Sequence, residues 1–367
     1  MSHVSTRCER LTSAICGWPP PSARLLVGVI PGEGVGPDVV AAASAVIRAI
    51  EQRTDHRFEI RVGGAIGTEA VQEHGTALPR QVTDFCAEIF EDGGAVLSGP
   101  GGSRFVYDLR ARFDLYCKLT PITPVASLRD AGVLRPDALN EVDFLIVREN
   151  VGGLYFGTSH RETDIARQTF VYHADQVRRI LDVAVRLSGA REGRLALVIK
   201  PAAMPAATGL WVEHFEAMSS GLDRLVLEVD NAVYQIVADA QAFDVIVAPN
   251  LFGDILSDAA AVLLGSRGLS HSGNFGPSGA AVYQTGHGCA HNLVGAGIAN
   301  PLGQIRAVAM MLRESFGLTD EAAAIEAAIE DTVAAGVRTP DIARPDSVIV
   351  GTTEMGQRVA EAVRRRL

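Results

Sequence analysis

The chain has 367 residues, 47 % apolar and 21 % charged, with a formal charge of −10 at pH 7. That length predicts two domains or one large α/β unit. The acidic balance argues against an extended nucleic-acid surface, which needs clustered Lys and Arg, and the apolar runs are too short to span a membrane.

Residues 1–24 read as a flexible leader, because Glu9 and the Pro19-Pro20-Pro21 run spoil a signal peptide. Cys8, Cys16, Cys86, Cys117 and Cys289 are odd in number and lack paired spacing, which fits free thiols and a reducing, cytoplasmic setting. Leu25–Ile30 (LLVGVI) is a buried-type strand that runs through PGEGVGPD into a helical stretch over Val39–Ile50. Further strand-like runs follow at 95–98, 144–147, 195–199, 225–229 and 244–248. Helical segments intervene, notably His173–Leu187, Trp211–Met218 and Ala307–Phe316. This alternation predicts an α/β fold with a largely parallel sheet.

Two segments suggest a site. Gly32, Gly34 and Gly36 form GxGxG, not the GxGxxG of a dinucleotide fold, and no acidic residue about 20 positions on completes that fingerprint. A tight strand-to-helix turn accounts for them, and the turn can still lie near a cofactor. In NLFGDILSD, Asp254 and Asp258 are four residues apart, so a helix turns both carboxylates to one face. Like charges so placed repel unless a cation lies between them. With Asp230 upstream they offer hard oxygen ligands suited to Mg²⁺ or Mn²⁺; the plain alternative is a helix cap at 254 and a solvated 258. His287, Cys289 and His291 read as loop backbone around a nucleotide rather than a zinc cluster.

NLFGDILSD, together with PGEGVGPDV, LRARFDLYCKLTP (109–121), VRENVGGLYFG (147–157) and HGCAHNLVGAGIANP (287–301), resembles in the same order the motifs of the isocitrate and 3-isopropylmalate dehydrogenases, over residues 25–320. The resemblance implies two α/β domains around a cleft, not a Rossmann fold. Residues 25–115 and 265–367 would form the larger, cofactor-side domain, and 116–264 the smaller one for dimerisation, substrate and metal. It implies metal-dependent oxidative decarboxylation of a 2-hydroxy acid in a homodimer with shared active sites, Lys200 and Asp230 reaching across. Asp230, Asp254 and Asp258 would hold the metal, Lys200 would accept the hydroxyl proton, aided by a pKa lowered by desolvation, and Tyr155 beside it would protonate the enolate. Arg110 and Arg148 would grip the leaving carboxylate, and His287, Gly288, Ala290, Asn292 and Asn300 would line the cofactor site. Asn292 stands where Asp is usual in NAD-using relatives, so NAD is expected, with NADP open.

The sequence departs from the family in three places. Thr120 replaces a third arginine, and Lys118, two residues earlier on the same strand face, is expected to replace it in part. Lys200 sits in Ile-Lys-Pro-Ala, without the family's acidic neighbour and asparagine. Arg104, Val106 and Tyr107 occupy the segment that reads the substrate's variable group, and Arg104 is a candidate for a third acidic group. The expected substrate is therefore a 3-substituted malate other than isocitrate or isopropylmalate. A diverged isopropylmalate or isocitrate dehydrogenase, or a non-catalytic regulatory subunit of the same fold, are the alternatives.

Overall fold

The computed structural model describes residues 10–367. Along the chain run β1 (Leu26–Ile30), α1 (Gly36–Glu51), β2 (Glu59–Val62), α2 (Gly67–His74), α3 (Arg80–Glu91), β3 (Ala95–Ser98), α4 (Phe105–Arg112), β4 (Cys117–Ile122) and β5 (Phe144–Glu149). A short hairpin, β6 (Ser159–Arg161) and β7 (Ala166–Gln168), precedes α5 (Ala174–Gly189), β8 (Arg194–Ile199), α6 (Pro205–Met218), β9 (Asp223–Glu228), α7 (Val229–Ala238) and β10 (Val245–Ala248). The chain continues through α8 (Asn250–Ala260), β11 (His271–Phe275), β12 (Ala281–Thr285), α9 (Leu302–Phe316), α10 (Thr319–Ala334) and α11 (Thr352–Arg366).

Ten strands form one sheet in the order β2-β1-β3-β12-β11-β4-β5-β10-β8-β9. β1, β3, β5 and β10 are buried throughout. Continuous Val, Ile and Leu runs form such strands because helices cover both faces, and each fully buried aliphatic side chain contributes about 1.5–3 kcal/mol. β1 is parallel to β2 and β3, and β12 to β3; β5, β10, β8 and β9 are likewise mutually parallel. β4 and β11 join these blocks by antiparallel pairing, β11 with β12 and β4, and β4 with β5. Strands from residues 25–115 and 265–367 occupy one half of the sheet, and those from 116–264 the other, meeting at the β11–β4 ladder. Among the described residues no helix is long and apolar enough to cross a membrane.

The expected leader is corrected in part. Residues 1–9 lie outside the described residues, but 10–24 are folded onto the body. A short 3-10 turn over Leu11–Ala14 buries Thr12 and Ala14, and Trp18 packs edge-on against Phe275 at 5.3 Å between ring centroids. Thr12 donates through its backbone N–H and its Oγ1 to the buried Glu314 carboxylate, both at 2.9 Å. Apolar and hydrogen-bonding contacts with α9 and β11 outweigh the breaking tendency of the proline run. The run over 225–229 forms β9 up to Glu228, which lies at the sheet edge with Leu225 and Val226 exposed.

Candidate active site

A cavity of about 250 Å³ opens where the two halves meet, lined by Arg110 of α4, Lys118 and Thr120 of β4, Asp254 and Asp258 of α8, Ser272 of β11 and the His287–Gly288 turn, among others. The NLFGD segment shows how sequence builds its wall. Asn250 opens α8, and its Oδ1 accepts from Arg148 Nε at 3.0 Å and Nη2 at 2.7 Å. Asn250 is itself fixed, donating Nδ2 to the Gly152 carbonyl at 3.1 Å and its backbone N–H to Tyr172 Oη at 2.8 Å. The buried stem of Arg148 crosses α8 at Gly253, where a Cβ would stand 2.7 Å from Cγ and 2.8 Å from Cβ of Arg148. One turn on, Asp254 takes the last guanidinium nitrogen in a short ion pair and accepts the Tyr155 hydroxyl at 2.9 Å.

The electrostatics follow from burial. Burial acts on the Asp254 carboxyl, yet Arg148, Lys118 and the Tyr155 hydroxyl bring its pKa below the ordinary value. Tyr155 is pushed up by burial and by the Asp254 charge, so its phenol stays protonated. Arg110 has its pKa lowered to about 9, first by burial and then by Arg148. Lys118 is driven well down for the same reasons, with Arg110 and Arg148 as its cationic neighbours.

Several expected site residues lie elsewhere. Arg104 is exposed, paired with Asp108 at 3.4 Å and stacked on Tyr107 at 5.6 Å, and does not itself line the cavity. It sits at the start of α4, one helical turn before Asp108, which draws it outward. Lys200, at the end of β8, bonds Glu228 and Asp230 at 2.5 Å each, beyond the cavity and away from Tyr155. Two carboxylates raise its pKa, opposite to the expected lowering by desolvation, because within one chain the group is solvent-accessible. Asp230 is likewise exposed, its carboxyl pulled down by Lys200.

Asp254 and Asp258 sit mid-helix on α8, both facing the cavity, so the helix-cap alternative for Asp254 does not apply. Asp258 is bridged at 2.8 and 2.9 Å by Arg267, a residue the sequence reading missed. These two carboxylates suit a divalent cation as half of a ligand set. Among the described residues of one chain no third His, Cys, Asp or Glu joins them.

Near the glycine turn, Val35 N–H donates to the Cys289 carbonyl at 2.9 Å, and a Cβ at Gly34 would meet that oxygen at 1.9 Å. Glycine there lets the 287–301 loop close on the turn. On the loop, Gly288 and Asn292 are exposed, Ala290 takes a left-handed φ of 45°, and His287 Nδ1 lies 2.8 Å from the Gly288 carbonyl. Burial lowers the His287 pKa. Asn300 is buried and internally engaged, donating to Asp341 at 3.0 Å and accepting from Leu302 N–H at 3.0 Å, which caps α9. Asn250, Ser272 and Gln284, unremarked in the sequence, join the site through pairings between distant strands.

A family model described as isocitrate/isopropylmalate dehydrogenase matches residues 26–359. The chain is 36 % identical to the 3-isopropylmalate dehydrogenase of Halalkalibacterium halodurans over 357 residues, covering 92 % of this chain and 97 % of that one. It is 34 % identical to the Bacillus subtilis 3-isopropylmalate dehydrogenase over 342 residues, 87 % of this chain and 92 % of that one. The solved structure of isocitrate dehydrogenase from Methylococcus capsulatus superposes with a TM-score of 0.82 at 32 % identity, covering 92 % of this chain and 99 % of that one. The chain therefore belongs to the isocitrate/isopropylmalate dehydrogenase family of metal-dependent, nicotinamide-linked decarboxylating dehydrogenases.

Proposed function

We propose that this protein oxidises and decarboxylates a 3-substituted malate-type hydroxyacid, other than isocitrate or isopropylmalate, with NAD as the preferred cofactor. The observation that carries the reading is that Asp254, Asp258 and the buried Arg110 line one cavity, with Arg148 and Tyr155 both bonded to Asp254. Asp254 and Asp258 would hold one side of a Mg²⁺ or Mn²⁺ site, where a bound cation would supply Lewis-acid stabilisation of negative charge on the substrate oxygen.

The chain's own groups do the rest. Arg110 and Arg148 hold the leaving carboxylate by charge-assisted hydrogen bonds. The protonated Tyr155 phenol delivers a proton to the carbon that lost CO₂, and Asp254 fixes its orientation at 2.9 Å. Lys200 and Asp230 act across a dimer, each copy supplying its pair to the other's cavity. In support, both lie outside their own cavity, next to an apolar face on β9 and α7 that exposes Leu225, Val226 and Tyr234. On entering that interface Lys200 loses solvent and exchanges Glu228 and Asp230 for substrate and cation, which favours proton acceptance.

A second reading, an isopropylmalate dehydrogenase, is favoured by the 36 % identity to the Halalkalibacterium halodurans enzyme of that name. One assay separates them: nicotinamide reduction with NAD⁺ and NADP⁺, Mg²⁺ or Mn²⁺, and a panel of isocitrate, homoisocitrate, isopropylmalate, malate, tartrate and phosphonate analogues. Turnover best with isopropylmalate establishes the second reading. Ligand binding without turnover of any panel member refutes both and indicates a non-catalytic subunit.

A further inference from the structure

The floor of the cavity carries polar groups that the reaction above does not use. Lys118 and Thr120 are two apart on β4, so both side chains leave the same face of the sheet. The ladder pairs Lys118 with Asn274 and Leu119 with Gly273, which brings Ser272 of β11 next to Thr120. Directly opposed residues on neighbouring strands have Cβ atoms about 5 Å apart, and positions i and i+2 lie about 6.6 Å apart along a strand. Lys118, Thr120 and Ser272 thus mark a triangle on the sheet surface, and all three line the cavity.

All three residues are buried, and the two hydroxyls have no partner. Lys118 is 8 % exposed, Thr120 2 % and Ser272 1 %. Thr120 Oγ1 and Ser272 Oγ have no hydrogen-bond partner, and among the described residues no carboxylate lies within ion-pair distance of the Lys118 ammonium. Leaving such hydroxyls unsatisfied costs about 1–3 kcal/mol each, so a fold that keeps two of them beside a buried lysine on one cavity wall is shaped for a ligand that satisfies them.

We propose that Lys118, Thr120 and Ser272 form a subsite for an oxyanion carried by the substrate. The donors are an ammonium and two hydroxyls set at three separate points rather than the planar fork of a guanidinium. A fork matches two carboxylate oxygens, whereas three separated donors are filled most completely by a group with three terminal oxygens, such as a phosphonate or phosphate. Arg110, also buried, adds a second cation to the cavity wall. The inference rests on the proposed reading for the substrate being a hydroxyacid, but the subsite can be tested without turnover.

The test is calorimetric titration of inorganic phosphate, and separately of malonate, into the metal-free full-length protein and into Lys118→Met, Thr120→Val, Ser272→Ala and Lys118→Arg. Lys118→Met is expected to weaken anion binding about 10- to 100-fold, and each hydroxyl deletion roughly 3- to 10-fold. Lys118→Arg, which keeps the charge, retains most of the affinity, and unchanged melting temperatures show that the variants fold. Phosphate binding tighter than malonate identifies a phosphonate or phosphate group; the reverse order places a carboxylate there. No measurable binding of either anion to the wild type, or binding indifferent to all three deletions, overturns the subsite. Failure of the proposed reaction looks different: the anion titrations respond to the variants while no hydroxyacid is turned over.

Discussion

The fold of residues 10–24 onto α9 yields a sharp prediction at Thr12→Val. Valine preserves the shape of threonine, so the substitution removes only the hydroxyl that donates to Glu314 Oε2 at 2.9 Å. The backbone N–H of residue 12 still donates to the same oxygen. Burial raises the Glu314 pKa despite donors from Thr12 and Leu11, and Oε1 has no hydrogen-bond partner, so little else supports the charge. A hydrogen bond to a buried charged group contributes about 1.5–3 kcal/mol, and one to a neutral group about 0.5–1.5 kcal/mol. Because the folded pKa is raised above 4.5, Glu314 favours folding most at low pH, and its contribution is lost as pH rises through the folded value. The lost hydroxyl held the ionised form, so the deficit of the Val variant should be near the smaller figure at pH 4.5 and near the larger one at pH 8. Urea unfolding at both pH values measures this, read as a shift in midpoint at constant slope. A deficit below about 0.5 kcal/mol at both would refute the docking of this segment on α9.

Three further outcomes follow from the site and the core. Gly253→Ala puts a methyl group against the stem of Arg148; overpacking of about 1–3 kcal/mol should displace the guanidinium and raise the hydroxyacid KM roughly tenfold, while the nucleotide KM stays put. Tyr155→Phe removes the proton donor but no charge, so kcat should fall about 10²- to 10⁴-fold with hydroxyacid KM and metal affinity little changed, as steady-state kinetics and metal titration will show. His271 is buried, its pKa held well below the usual value first by burial and then by Arg306 and Arg313. It therefore stabilises the fold above its unfolded pKa of about 6.5 and loses that contribution as pH falls, at up to about 1.4 kcal/mol per pH unit. His271→Asn should flatten the wild-type slope of stability below that pH, and an unchanged slope would count against the assignment.

Legibility in the sequence followed burial. β1, β3, β5, β8 and β10 are near-continuous apolar runs because both sheet faces are covered. β11 (HSGNF) and β12 (AVYQT) escaped notice as strands because they carry polar residues into the cavity or core. The cluster of Arg148, Asp254 and Tyr155 joins segments that family motifs had marked, whereas Asn250, the residue that aims Arg148, gave no separate signal. The Lys200–Glu228 ion pair was not legible, because Glu228 follows by 28 positions and meets Lys200 only through the β8–β9 pairing. The proline-rich segment misled, since local breaking tendency says nothing of a distant carboxylate ready to receive it.

Charge arrangement at the cavity ties these points together. Arg110, Lys118, Arg148 and Arg267 face or border a space whose acidic lining is Asp254 and Asp258. Arg148 is committed to Asp254 and Arg267 to Asp258, so the unspent positive charge is that of Arg110 and Lys118, both buried and both losing protons more readily than in water. A divalent cation at the aspartates would add to that excess and compete with the two arginines for them. Under the proposed reading, such a site would be balanced by a substrate that brings several negative charges, one to the cation, one to the Arg110–Arg148 side and one to the floor beside Lys118. An aliphatic substituent would leave the last of these uncompensated, with two buried hydroxyls still without partners. Under the proposed reading, a polyanionic hydroxyacid fits this charge arrangement better than one with an apolar side group.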